Sequence, residues 1–152
     1  MENKLVYGRY RIVHVGKEEY LGLSNTGLDI YPPPPAPVIV LPPDVLPPEF
    51  TIVPVDVEAN TYVILVEKRV TRGQDNRVFA FVNEPAEVWR IRYNEAHDAY
   101  SIEKRGEFGP GLSLGWTLVI FVDTVNPNQI TLQQFSEPGP YQLFKFERVG
   151  VE

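Results

Sequence analysis

Gly8-Arg9-Tyr10-Arg11-Ile12-Val13-His14 alternates in the manner of a β-strand, with Tyr10, Ile12 and His14 in phase on one side. The Tyr-x-Ile core of this stretch returns at Tyr62-Val63-Ile64 and at Tyr100-Ser101-Ile102. Each opening is followed, further along the chain, by an aromatic-rich closing strand: Phe50-Thr51-Ile52-Val53, Trp89-Arg90-Ile91 and Phe144-Lys145-Phe146. Self-similarity of this kind marks a fold assembled from repeated units. Three openings and three closings divide the chain into units of about 5–56, 57–95 and 96–152. Tyr62 and Tyr100 stand closer together than Tyr10 and Tyr62, so the middle unit is the shortened one, with room for fewer or shorter strands.

The intervening segments agree with an all-β chain. They are short, rich in Val, Ile, Tyr and Phe, and bounded by Gly, Pro, Asn or Asp. The best helical candidate, Glu84 to Arg92, carries Pro85 near its start and runs into the alternating Val88-Trp89-Arg90-Ile91-Arg92, which predicts a turn leading into a strand. Fifteen prolines also disfavour helices and central strands. The expected architecture is a β-trefoil: three four-strand units in a closed barrel with a hairpin cap, a closure that removes exposed edges. Proline is densest at Tyr31-Pro32-Pro33-Pro34-Pro35-Ala36-Pro37 and again at Pro42-Pro43 and Pro47-Pro48, on either side of the strand-like Val38-Ile39-Val40-Leu41. These runs read as stiffened loops around an integrated strand, with a polyproline ligand for an adaptor domain as the other reading.

A length of 152 residues fits one domain, 1–152, large enough to bury about two-thirds of its unfolded surface. A net charge of -6 predicts no nucleic-acid partner. The densest basic run, Lys68, Arg69, Arg72 and Arg77, is diluted by Glu67 and Asp75. The absence of cysteine excludes disulfides, a thiolate nucleophile and Cys-ligated metal. A polar start, Met1-Glu2-Asn3-Lys4, and no long apolar run lead us to expect a cytoplasmic monomer that does not engage a membrane.

Chemistry is sparse. His14 lies in a strand in phase with core residues, which favours packing over reaction; His97, in Asn94-Glu95-Ala96-His97-Asp98, reads as an exposed turn histidine. No nucleophile elbow, phosphate-binding loop, dinucleotide fingerprint or zinc-protease motif occurs. Carboxylate pairs such as Glu18 with Glu19 and Glu95 with Asp98 have no separation that the sequence defines. Gly106 to Gly115 leads into a strand, Trp116 to Phe121, and reads as a hairpin connection. The expectation is a protein that is not an enzyme, with no cofactor, no metal and no catalytic residue.

Several ordered blocks resemble the fungal β-trefoil protease inhibitors, the cospin-like serine protease inhibitors and, more distantly, the mycocypins clitocypin and macrocypin. They are Gly8-Arg9-Tyr10-Arg11-Ile12 with Val15-Gly16 and Tyr20-Leu21-Gly22; Val78-Phe79-Ala80-Phe81 with Glu84-Pro85 and Val88-Trp89-Arg90-Ile91; Tyr100-Ser101-Ile102-Glu103-Lys104 with Gly115-Trp116; and Gln129-Ile130-Thr131-Leu132 with Leu143 to Val149. Most are core or turn residues, so they speak to fold and family more than to activity. The resemblance implies inhibition by a loop between the second and third strands, placed here at Leu23, Ser24, Asn25, Thr26, Gly27, Leu28 and Asp29. Such a loop enters a target protease as a substrate-like segment, held rigid so that little entropy is lost on binding.

Trypsin requires Arg or Lys in its specificity pocket, and no basic residue occurs from Glu18 to Ala59. Leu23 or Leu28 would suit an apolar pocket, and Asn25, the favoured contact, would suit an asparagine-specific cysteine protease. The resemblance to mycocypins adds a secondary loop, Val70 to Arg77, in which Asn76 would meet such a cysteine protease and Arg72, beside Gly73, a trypsin-like one. The other reading of that segment is an ordinary hydrophilic hairpin tip. An alternative function is carbohydrate binding, although Trp89 and Trp116 lack the Gln-x-Trp context of ricin-type lectins.

Overall fold

The computed structural model describes residues 4–24, 33–119 and 128–150. Period-two burial builds its strands, beginning with Gly8–His14 (β1), whose alternate residues Tyr10, Ile12 and His14 are all buried. Glu19–Leu23 (β2), Ala36–Val40 (β3) and Phe50–Asp56 (β4) follow. Thr61–Val66 (β5), Arg69–Gln74 (β6), Arg77–Phe81 (β7) and Val88–Asn94 (β8) come next. Ala99–Lys104 (β9), Ser113–Leu118 (β10), Ile130–Phe135 (β11) and Phe144–Gly150 (β12) complete the set among the described residues. The chain is all-β, and among the described residues no helix is long and apolar enough to cross a membrane.

The strand pairs, all antiparallel, run as a cycle: β1 with β4, β4 with β5, β5 with β8, β8 with β9, β9 with β12, and β12 back to β1. The remaining strands form the hairpins β2–β3, β6–β7 and β10–β11. These hairpins meet one another through β3–β7, β7–β11 and a bridge between Ile39 and Gln129. The Tyr-x-Ile openings lie in β1, β5 and β9, and the aromatic closings in β4, β8 and β12. Ile12, Ile64, Ile102, Phe50, Trp89 and Phe144 are all fully buried in one apolar cluster.

Three segments depart from the sequence reading. Four strands fit between Thr61 and Asn94, so the middle set economises on connections and not on strands. Glu67-Lys68 and Asp75-Asn76 are two-residue turns, with φ of 50°, 62°, 53° and 61°, the left-handed pair whose twist matches that of a hairpin. β3 starts at Ala36 and takes in Pro37, because the carbonyl of that residue is what the pairing uses: it accepts from Ser24 N–H at 2.9 Å. β10 begins at Ser113, inside the Gly-rich segment, and ends at Leu118; Ile120 and Phe121 lie outside the described residues.

His14 is fully buried and acts as a brace. The Lys17 backbone N–H donates to its Nδ1 at 3.1 Å, which leaves Nε2 to carry the proton and donate to the Tyr141 carbonyl at 3.2 Å. The ring therefore ties the β1–β2 turn to the chain entering β12, alongside Val15 N–H to Leu143 O and Gly16 N–H to Pro140 O, each 3.0 Å. Burial pushes the imidazole below its ordinary value; the Tyr141 carbonyl opposes that shift and the Lys17 charge adds to it. A depressed folded-state value means that the unfolded chain takes up this proton first. His14 thus contributes stability that is complete above about pH 6.5 and is lost as pH falls from there. Denaturant unfolding from pH 7 to pH 5 is expected to show stability declining in the wild type by up to about 1.4 kcal/mol per pH unit, with a shallower slope in His14→Gln. Parallel slopes would remove His14 from the account.

Candidate functional site

The β2–β3 connection rises from a firm base. Leu21, Gly22 and Leu23 pair with Val40, Ile39 and Val38, and the Ser24 N–H bond to Pro37 O closes the last rung. A Cβ at Gly22 would fall 2.6 Å from Leu41 Cδ1, so the glycine lets the Leu41 side chain lie directly over the strand. The returning leg is held from the neighbouring hairpin: Arg69 Nη1 donates to Pro34 O at 3.0 Å and to Ala80 O at 3.4 Å. Leu23 is partly buried and packs against the core cluster. Ser24 stands at the exit of β2, and Asn25, Thr26, Gly27, Leu28 and Asp29 lie outside the described residues.

The second candidate segment is mostly strand. Arg72 and Gly73 lie in β6, paired with Phe79 and Val78, so the loop expected over Val70 to Arg77 shrinks to Asp75-Asn76. The polar composition hid an inward face: Thr71 is fully buried, donates to Ile64 O at 2.8 Å and accepts from Trp89 Nε1–H at 2.9 Å. Arg72 is tied down, its Nη1 donating to Pro85 O at 2.7 Å and its guanidinium lying 5.9 Å from the Phe81 ring centroid. Asn76 holds φ of 61°, whereas a segment bound in a protease cleft is extended. Lys68, like Asn76, belongs to a two-residue left-handed turn, and the Arg69 side chain serves the β2–β3 connection.

Among the described residues neither histidine hydrogen-bonds to a carboxylate or a nucleophile. His97 is exposed, and its backbone N–H and Nδ1 both meet Asn94 Oδ1, at 3.1 and 3.0 Å. Asp98, its neighbour in sequence, instead accepts from the Tyr93 hydroxyl at 2.6 Å, a bond that pushes the Tyr93 pKa up to about 12. Among the described residues no three His, Asp or Glu side chains converge as a metal site would require.

The model of one protein family, described as Peptidase inhibitor I66, matches residues 3–148. No curated protein sequence matches the chain. Among solved structures, a proteinase inhibitor from Coprinopsis cinerea superposes with a TM-score of 0.74 at 14% identity, covering 96% of this chain and 100% of that one. A salivary protein from Culex quinquefasciatus, of the cysteine and tryptophan-rich family, gives 0.66 at 11% identity and 96% of each chain. Cry35Ab1 gives 0.64 at 16% identity, covering 95% of this chain and 36% of that one. At these identities the structural likeness speaks for the fold alone.

Proposed function

Because the chain belongs to the peptidase inhibitor I66 family, we propose that it blocks a protease by seating residues 23–29 in the active-site cleft in a substrate-like manner. The observation that carries this reading is the anchored base of the β2–β3 connection: a closing hydrogen bond of 2.9 Å on one leg and an arginine from another hairpin on the other. Anchoring both legs of a connection lowers the entropy that remains to be lost when it binds. The strand cycle with its three hairpins supports a β-trefoil of three four-strand units, about 5–56, 57–95 and 96–152, in a closed barrel with a hairpin cap.

The enzyme this loop suits is one without a basic requirement. Leu23 is partly buried against the core, which favours Asn25 and Leu28 as the side chains for a specificity pocket. Asn25 directs the reading toward an asparagine-specific cysteine protease and Leu28 toward a serine protease with an apolar pocket. The Val70 to Arg77 segment receives no role, given the strand, the bound Arg72 and the left-handed Asn76.

The test is a titration of trypsin, chymotrypsin, subtilisin, legumain and a papain-like enzyme with the protein, Asn25→Ala, Leu28→Ala and Arg72→Ala. Legumain, chymotrypsin or subtilisin is expected to be inhibited and trypsin spared. Either Asn25→Ala or Leu28→Ala should weaken binding by about 30-fold, the signature of a residue that fills a pocket. Arg72→Ala should bind as the wild type does. No inhibition of any enzyme at micromolar protein would sink the proposal.

A further inference from the structure

Strand alternation places a second set of side chains on the outside of the strand cycle. In β4, β5 and β8 the buried Phe50, Ile52, Tyr62, Ile64 and Trp89 face the core, so Thr51, Val53, Val63, Leu65 and Val88 face away from it. Register sets these outward residues, with Val70 of β6, in two rows: Thr51–Leu65–Val70 and Val53–Val63–Val88. All six are half-buried, and Val55, next along β4, is 55% exposed. Outward positions on the other walls carry charge: Arg90, Arg92 and Glu103 on β8–β9, and Arg11, Lys145 and Glu147 on β1–β12. One wall is therefore apolar where its neighbours are polar, and a contiguous apolar face of this kind marks a contact surface.

We propose that a second copy of the chain covers this face, in a two-fold dimer that takes the place of the expected monomer. All of the six but Leu65 are β-branched and stiff, so the face is ordered before anything meets it. Such a surface suits another sheet, stacked about 10 Å away with its strands aligned to within about 30°. The same face on a second molecule supplies that sheet and buries no charge at the centre of the contact.

Charge at the two ends of the rows sets the orientation. At the β5–β6 turn Glu67, Lys68 and Arg69 leave an excess of one positive charge; at the opposite end Lys4, Asp56 and Glu58 leave one negative, with Asp56 brought onto the face by the row Asp56–Thr61–Arg90. The border cations Arg9 and Arg90 already face Glu49 and Glu103, whereas Lys68, Asp56 and Glu58 make no ion pair among the described residues. A two-fold axis lying across the strands sets the Lys68 end of each copy against the Asp56 end of the other, and an axis along the strands would set Lys68 on Lys68. Three strands wide and five residues long, the face measures roughly 10 by 17 Å, short of what a tight dimer buries, so the dissociation constant should be on the order of 10–100 μM. The face lies outside residues 23–29 and does not rest on protease inhibition.

The test is sedimentation equilibrium of the full chain from about 5 to about 500 μM, with ¹⁵N amide shifts followed over the same dilution series. The mass is expected to rise from one chain to two, and the moving amides to fall within residues 51–58, 61–70 and 88–90. Val63→Thr and Val88→Thr keep β-branched residues in their strands and should remain folded, with dispersed spectra, yet each should weaken the dimer by about tenfold, since the change occurs on both copies. Lys68→Glu should weaken it by about fivefold through the rim alone. The inference is overturned if the chain is still monomeric at the highest concentration, if the shifts fall elsewhere, or if the three variants associate as the wild type does. It is equally overturned if these amides move only when a protease is added, which would give the face to an enzyme.

Discussion

Trp89→Ala is expected to lower the unfolding free energy by about 3–5 kcal/mol, enough to bring a domain of ordinary stability close to its threshold. Trp89 is fully buried in β8 between register partners Tyr62 and Lys104. Its ring meets Trp116 edge-on at 5.4 Å, and Trp116 in turn meets Phe144 at 6.2 Å, so the cavity would open at one end of an aromatic chain within the core. The loss also strips Thr71 of its donor, though Thr71 keeps its own bond to Ile64 O. Trp89→Phe separates the two contributions: it retains most of the packing and forfeits the N–H bond, for about 1–2 kcal/mol. Urea unfolding of the two variants measures both, and a cost below about 1 kcal/mol for the alanine would contradict the packing described.

Removing residues 1–6 is expected to cost about 3–4 kcal/mol. The described part of this segment reaches the core through Leu5, which is buried and belongs to the core cluster. Its burial is worth about 2 kcal/mol. The Leu5 and Val6 carbonyls accept from the Tyr62 and Tyr10 hydroxyls at 3.1 and 2.8 Å, each bond worth about 1 kcal/mol. Lys4 Nζ adds bonds to Val57 O at 2.9 Å and Asn60 Oδ1 at 2.6 Å. A second readout is independent of stability. Burial holds the Tyr62 pKa above its ordinary value of 10 and outweighs the lowering by the Leu5 carbonyl, so truncation, which exposes the ring as it removes that bond, should on balance let the value fall back toward 10 in a spectrophotometric titration. An unshifted Tyr62 together with unchanged stability would deny the segment its covering role.

The repeat was legible because its marks are core marks. Tyr10, Tyr62, Ile12, Ile64 and Ile102 are buried, and Tyr100, partly buried, packs against the same cluster, so the sequence carries these residues at matching places. The turn before β8 was legible for an equally local reason, Pro85 ahead of an alternating run. What stayed hidden depends on partners far away in the chain. Thr71, Arg72 and Gly73 look like a polar loop until β7 supplies the pairing and Trp89 the bond that makes Thr71 a buried residue. Glu103 resembles any surface glutamate, and only the β8–β9 register brings Arg90 and Arg92 to it. Leu23 carried no sign that it packs inward, because its burial comes from the hairpin fold of β2 on β3. The Leu5 and Val6 carbonyls have no side-chain signature at all.

The pairing of β12 with both β1 and β9 has a consequence for synthesis. Because β12 follows in the chain both of the strands it joins, a chain that has not yet made Phe144–Gly150 leaves β1 and β9 each with an edge lacking that partner, the template on which β-proteins stick to one another. Contacts between the two ends of the chain also carry the longest closure and slow folding accordingly. The other described strands can all be in place before these two edges are covered, and seven residues, Phe144–Gly150, decide whether they are.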